Sequence, residues 1–236
     1  MNILLGFFNI IVVFSIVVWV EKFFKKEGLL VYVSISTIIA NILVCKSIEL
    51  IGHVTCMGSI MFASNFLATD ILCEKYSKKD GRRAVILAAV SQLIFIVVIQ
   101  FALLYTPSSI DMMNDNMKEL FSLNLRIGIS SLTMFVASNL FDIYIYERIK
   151  KRFPNKLWLR NNVSTIISNC AENYLFTFFA FVGVYDLITI ISIASVGSVV
   201  EIVIALLDTP FLYLSTKLQS FNIIHNKKLI KMLAKG

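Results

Sequence analysis

Charge is scarce in this sequence. Only 16% of its 236 residues are Asp, Glu, Lys or Arg, against roughly 25% in soluble domains. So little polar surface cannot coat a globule of this size, which argues against a soluble enzyme, a disordered chain or a nucleic-acid-binding domain. Proline and glycine are also few, three and nine, so the apolar runs stay largely unbroken. The two histidines, His53 and His225, lack HExxH or other metal-ligand spacing, and no Walker A or GxGxxG motif occurs. Cys45, Cys56, Cys73 and Cys170 lie in apolar runs without a CxxC, so no disulfide framework follows and they read as small buried hydrophobes. No catalytic residue, metal or cofactor is expected.

What the chain has is apolar length. Apolar residues make up 58%, and the mean hydropathy is +0.80. The fold class that follows is all-α, a polytopic transmembrane helical bundle. A crossing needs roughly 20 mostly apolar residues. Seven segments qualify, near 3–20, 29–51, 54–73, 84–105, 124–146, 162–183 and 187–215. The first has no basic leader and no A-x-A cleavage signal, so it reads as a retained helix. Pro210 is a point where the last is expected to kink or end.

Basic residues set the orientation. Segments 21–28, 74–83 and 147–160 and the tail from 217 hold 19 of the 22 Lys and Arg residues. With seven crossings all four fall on one side, cytoplasmic by the positive-inside rule. The N-terminus is then outside and the C-terminus inside. The tail, 217–236, reads as a solvated positive anchor. The net charge of +7 therefore calls for no nucleic acid; the partner is the lipid bilayer.

Polar residues within the spans are the candidate functional set, because a charge near mid-bilayer is costly and usually faces the bundle interior. On the sixth segment Asn162, Thr165, Ser168, Asn169, Glu172, Asn173 and Phe176 recur at three- and four-residue spacing and share one helical face. Glu172 lies near mid-membrane. The hydroxyls and amides could equally be interhelical glue. The third segment carries Ser64, Asn65, Thr69 and Asp70, then Glu74; the fifth carries Ser138, Asn139 and Asp142. Asp70 and Asp142 either cap or pair locally or serve gating and substrate. Lys46 and Glu49 on the second segment could pair, or Lys46 could snorkel outward. Glu201 is a second mid-membrane carboxyl, a proton site or the partner of a base such as Lys46, and Asp208 follows it. Phe62 and Phe176 are either packing residues or platforms for a flat ligand. A short echo joins Ala63-Ser64-Asn65 before Asp70-Ile71 to Ala137-Ser138-Asn139 before Asp142-Ile143.

Four blocks in order carry a family resemblance over about residues 36–216. The first is Asn41, Gly58 and Phe62, then Phe66-Leu67-Ala68-Thr69-Asp70, Glu74-Lys75-Tyr76 and Arg82-Arg83. The second is Ala137-Ser138-Asn139 with Asp142. The third runs from Trp158-Leu159-Arg160-Asn161-Asn162 through Ser164-Thr165 and Ser168-Asn169 to Phe176, and the fourth is Pro210 with Tyr213. With these the sequence resembles the queuosine precursor transporter family, also called the vitamin uptake transporter family. It departs from that pattern at Glu172-Asn173, where the family has Asp-Thr, at Glu201, where a Lys is common, and at Ser77, where a Gly is common.

The resemblance implies bacterial inner-membrane uptake of a 7-deazaguanine base for tRNA modification: queuine, 7-aminomethyl- or 7-cyano-7-deazaguanine. It implies a substrate site of Glu172, Asn173, Asn169, Ser168, Thr165, Phe176, Asn41, Phe62 and Asn65. Gating or coupling would fall to Asp70, Glu74, Asp142, Arg160, Glu201 and Lys46. Glu172 could accept both N–H groups of a guanine edge. The core would span 29–216, with 1–28 an added N-terminal helix and basic loop. A substrate-capture subunit of a multi-component vitamin or nucleobase importer is the alternative, and a homodimer is among the open arrangements.

Overall fold

The computed structural model describes residues 2–50, 53–121 and 125–233, with side chains except at 47, 50, 53–56, 125–129 and 218–233. It is an all-α bundle. In order the elements are α1 (Asn2–Leu43), β1 (Ser47–Leu50), β2 (His53–Cys56), α2 (Gly58–Lys75), α3 (Lys78–Leu103), α4 (Asn114–Phe121), α5 (Leu125–Arg152), α6 (Leu157–Phe181) and α7 (Leu187–Leu233). Helices α1 and α3 and the Leu187–Lys217 part of α7 are long and apolar enough to cross a membrane. Helices α2, α5, α6 and α7 carry most of the inward polar residues.

The first two predicted spans are the two arms of α1. The expected loop at 21–28 is instead a break at one residue, Lys25, with φ 55° and ψ −142°. A β-carbon on Gly28 would lie 2.5 Å from Phe24 Cβ and 2.9 Å from Val20 Cγ1, so only glycine allows this turn. The arms return to the same end, where Asn2 Nδ2 donates to the Glu49 carbonyl at 3.1 Å.

Other boundaries also moved. The predicted second span runs to 51, yet its helix ends at Leu43. Residues 47–50 pair antiparallel with 53–56, Ser47 opposite Cys56 and Glu49 opposite Val54. The β-branched Ile48, Val54 and Thr55 suit a strand better than a helix end. Cys45 lies exposed beside this hairpin rather than buried, while Cys73 is buried as expected. Pro210 sits inside α7 and does not end it; the helix continues through the expected boundary at 215 to Leu233. The side chains of the tail lie outside the described residues.

Helix α2 is central. Every residue from Gly58 to Cys73 except the half-buried Met61 and Phe62 is buried, and α2 touches α1, α3, α5 and α7. Its apolar side chains join Val13, Phe14 and Val17 of the first arm and Leu212 of α7 in one core. Phe14 meets Phe211 edge-on at 5.4 Å. Helix α6 packs between α5 and α7. The basic segments gather at one end of the bundle, where Lys26 pairs with Asp80 at 3.3 Å and Lys75 with Glu21 at 2.7 Å.

Candidate functional site

The polar stripe of α6 faces inward. Ser164, Thr165, Ser168 and Asn169 are at most 1% exposed, whereas Ile167 and Leu175 on the opposite face are 44% and 47% exposed. This inverts the pattern of a soluble amphipathic helix, as expected where lipid surrounds the bundle and a polar path lies inside. Helix α7 offers a matching face. Ala194, Ser198, Glu201, Ala205 and Asp208 recur at three- and four-residue steps, and all are buried except Glu201, which is half-buried.

Two clusters lie along this interface. In the first, Asn173 Nδ2 donates to Glu201 Oε2 at 2.7 Å and to the Asn169 carbonyl at 3.1 Å. Glu172, also half-buried, lies within hydrogen-bonding reach of Ser138 on α5 and within electrostatic reach of Glu201. Gly197 makes room for this contact, since a β-carbon there would stand 3.0 Å from Asn173 Oδ1. Around it, Asn139 Oδ1, Ser168 Oγ, Asn169 Oδ1 and Ser198 Oγ are buried without a hydrogen-bond partner among the described residues. Buried polar atoms are normally paired, so such a concentration points to a ligand. Asn139 donates its own Nδ2 to the Phe135 carbonyl at 2.9 Å, which leaves its oxygen as a free acceptor.

The second cluster lies toward the basic end. Asp70 of α2 and Asp142 of α5 are fully buried neighbours, with Ser164 and Thr165 beside Asp142, and among the described residues none of their four carboxyl oxygens has a hydrogen-bond partner. Asp208 of α7 accepts from Asn161 Nδ2 at 2.5 Å. The two Asp residues of the sequence echo therefore meet in space. One turn further, Arg160 grips Glu74 with two contacts, Nη2 to Oε1 at 2.7 Å and Nε to Oε2 at 3.1 Å. Tyr146 Oη donates to Glu74 Oε2 at 2.9 Å, and Lys150 lies 3.2 Å away.

Several predicted residues are placed elsewhere. Asn65 is bound up between α1 and α2, accepting from Ser36 and donating to Thr37 Oγ1 at 3.2 Å. Asn41 donates to the Thr37 carbonyl at 2.9 Å and accepts from Ser131 of α5 at 3.1 Å. Lys46 is exposed in the turn after α1, and among the described residues it pairs with neither Glu49 nor Glu201. Phe62 and Phe176 are half-buried, Phe62 against the core. Sequence reasoning did not single out Ser198, Tyr146, Lys150 or the buried Glu21. Ser198 was legible as the residue one turn before Glu201; Glu21 and Lys150 had no signal beyond their place in basic segments, and Tyr146 none beyond ending an apolar run.

The family model that matches, described as "Putative vitamin uptake transporter", aligns with residues 56–215. The chain belongs to this family. The match takes in both clusters and excludes all of α1. A relative from Bacillus subtilis (strain 168), named "Probable queuosine precursor transporter", is 34% identical over 213 residues, covering 89% of this chain and 93% of its own. No solved structure matches the chain. Members of an uptake family need a polar path through the bundle, and the α5–α6–α7 interface is where this chain concentrates its buried polar atoms.

Proposed function

We propose that this protein imports a queuosine precursor, a 7-deazaguanine base, across the bacterial inner membrane. The observation that carries this reading is the α6–α7 cluster. Two carboxyls, Glu172 and Glu201, stand there among buried hydroxyl and amide oxygens that have no partner among the described residues. A guanine-like edge presents N1–H and an exocyclic amine side by side, which one carboxylate accepts together as charge-assisted bonds. Glu172 takes that edge, and Asn169 and Ser168 complete the ring contacts.

The second cluster serves coupling and gating. Asp70 and Asp142 form the coupling pair, and the Glu74–Arg160–Tyr146–Lys150 network closes the basic end. That end faces the cytoplasm, with the N-terminus outside. Residues 29–216 are the transporter core, preceded by an added arm and followed by a basic tail.

The test is queuosine in the tRNA of a host lacking synthesis and its own transporter. The host carries this gene and a base-exchange enzyme and is fed one precursor at a time. Restoration that Glu172→Ala abolishes supports the reading. No restoration from any precursor, with the protein in the membrane, overturns it. Uptake by the purified chain alone in liposomes separates a transporter from a capture subunit.

A further inference from the structure

We infer that the groove between α3 and α5 at the basic end holds the headgroup of an anionic phospholipid, seated beside Tyr144 and gripped by Lys78, Arg82 and Arg148. Helix α3 lies close to its neighbours here, since a β-carbon on Gly81 would stand 2.6 Å from Cys73 Sγ and 3.4 Å from Ile143 Cδ1 of α5. Two cations, one from each helix, converge on one exposed ring. Lys78 Nζ lies 5.8 Å from the Tyr144 ring centre and Arg148 Cζ 5.9 Å from it. Arg148 Nη1 also donates to Tyr144 Oη at 2.7 Å. Arg82, exposed as well, follows Lys78 by one turn on the same face of α3.

Among the described residues none of these three cations enters an ion pair. The carboxyls nearby are engaged elsewhere, Asp80 with Lys26 and Ser77, and Glu74 with Arg160, Lys150 and Tyr146. Glu147, half-buried beside Arg148, pairs with none of the three. Like charges gathered round one ring repel. A phosphodiester beside them removes that repulsion and accepts charge-assisted hydrogen bonds from them.

The walls of the groove favour a lipid as the source of that phosphate. One turn deeper they expose Phe141 on α5 and Ile86 on α3. A head held by cations above an apolar wall matches an amphiphile with acyl chains, whereas a free phosphate gains nothing from that wall. Tyrosine is enriched at headgroup level, and basic pockets between spanning helices bind anionic headgroups.

The test adds phosphatidylglycerol or phosphatidylcholine of the same acyl chains in steps to the purified full chain in detergent. Native mass spectrometry counts the lipid retained. One phosphatidylglycerol should bind on the order of tenfold tighter than phosphatidylcholine. Arg148→Gln should lower that ratio, and the triple change Lys78→Gln, Arg82→Gln, Arg148→Gln should bring it toward one. The triple change Lys22→Gln, Lys25→Gln, Lys156→Gln removes equal charge from the same end and should leave the ratio intact. Thermal unfolding of each variant verifies that it is folded. Equal retention of the two lipids by the parent protein, or the same loss of preference in both triple variants, overturns the site in favour of diffuse charge. Displacement of phosphatidylglycerol by inorganic phosphate overturns a lipid as its occupant.

Discussion

The Lys75 ammonium lies 2.7 Å from the Glu21 carboxylate, with both side chains no more than 3% exposed. Lys75 also donates to the Ser215 carbonyl at 2.9 Å, and Tyr76 Oη reaches Glu21 at 3.1 Å. One buried pair thus binds α2 to both the N-terminal arm and α7. Removing one partner leaves the other buried and unpaired, at a cost of about 3–5 kcal/mol. Glu21→Ala should lower thermal stability in detergent accordingly. The double change Glu21→Leu with Lys75→Met should recover most of the loss.

Arg160 contacts Glu74 through two nitrogens and donates Nη1 to the Pro154 carbonyl at 2.8 Å. A lysine cannot reproduce that fork. Arg160→Lys should lose about 1.5–3 kcal/mol of stability, the range for hydrogen bonds to charged groups. Chemical denaturation in detergent checks the figure.

Gly197→Ala separates function from stability. The added methyl meets Asn173 Oδ1 at 3.0 Å and displaces the Asn173–Glu201 contact. Alanine is also about 1 kcal/mol better than glycine inside a helix. Uptake should therefore fall several-fold while the melting temperature holds or rises. A parallel loss of both would show the contact to be structural only.

Asp142→Asn should cut precursor uptake on the order of tenfold, the effect of about 1.4 kcal/mol. An amide keeps the shape of the carboxyl but has no proton to give up or take, which a coupling residue needs. Initial rates with labelled precursor, in cells matched for membrane protein, measure it. Unchanged rates would remove Asp142 from the coupling pair.

Ser77 caps α3. Its hydroxyl donates to Asp80 Oδ2 at 2.6 Å and accepts from the Asp80 N–H at 3.2 Å. That hydroxyl, with Lys26 behind it, holds the Asp80 carboxyl below its ordinary value. A lowered folded value means this stability is present above the unfolded pKa of about 3.9 and is lost as pH falls through the folded one. Ser77→Ala should cost about 1 kcal/mol near neutral pH. Its difference from the parent protein should shrink below about pH 4, as followed by unfolding at a series of pH values.

The helical segments and the inward stripe of α6 were legible because hydropathy and the 3.6-residue period are local properties. Glu172 and Glu201 stood out because carboxyls are rare in such runs. The pairing of Glu21 with Lys75 was not legible. Glu21 begins a basic stretch that reads as a solvated loop, and only the fold of α1 on itself at Lys25 carries it under Tyr76. For Asn65 the motif-like run gave no hint of its partners: the approach of α1 engages both ends of its amide. The helix–hairpin boundary near 43–47 was missed because an apolar run shows no period that tells a helix end from a strand.

Glu74 and Lys75 are neighbours in sequence, so on the last turn of α2 they project about 100° apart. Each holds a different pair of partners: Glu74 ties α2 to α5 and α6, and Lys75 ties it to α1 and α7. The basic end is thus fastened by two latches on one bolt. Losing one latch releases one pair of helices from α2 and leaves the other pair held, so substitutions at Glu74 and at Lys75 loosen this end on different sides.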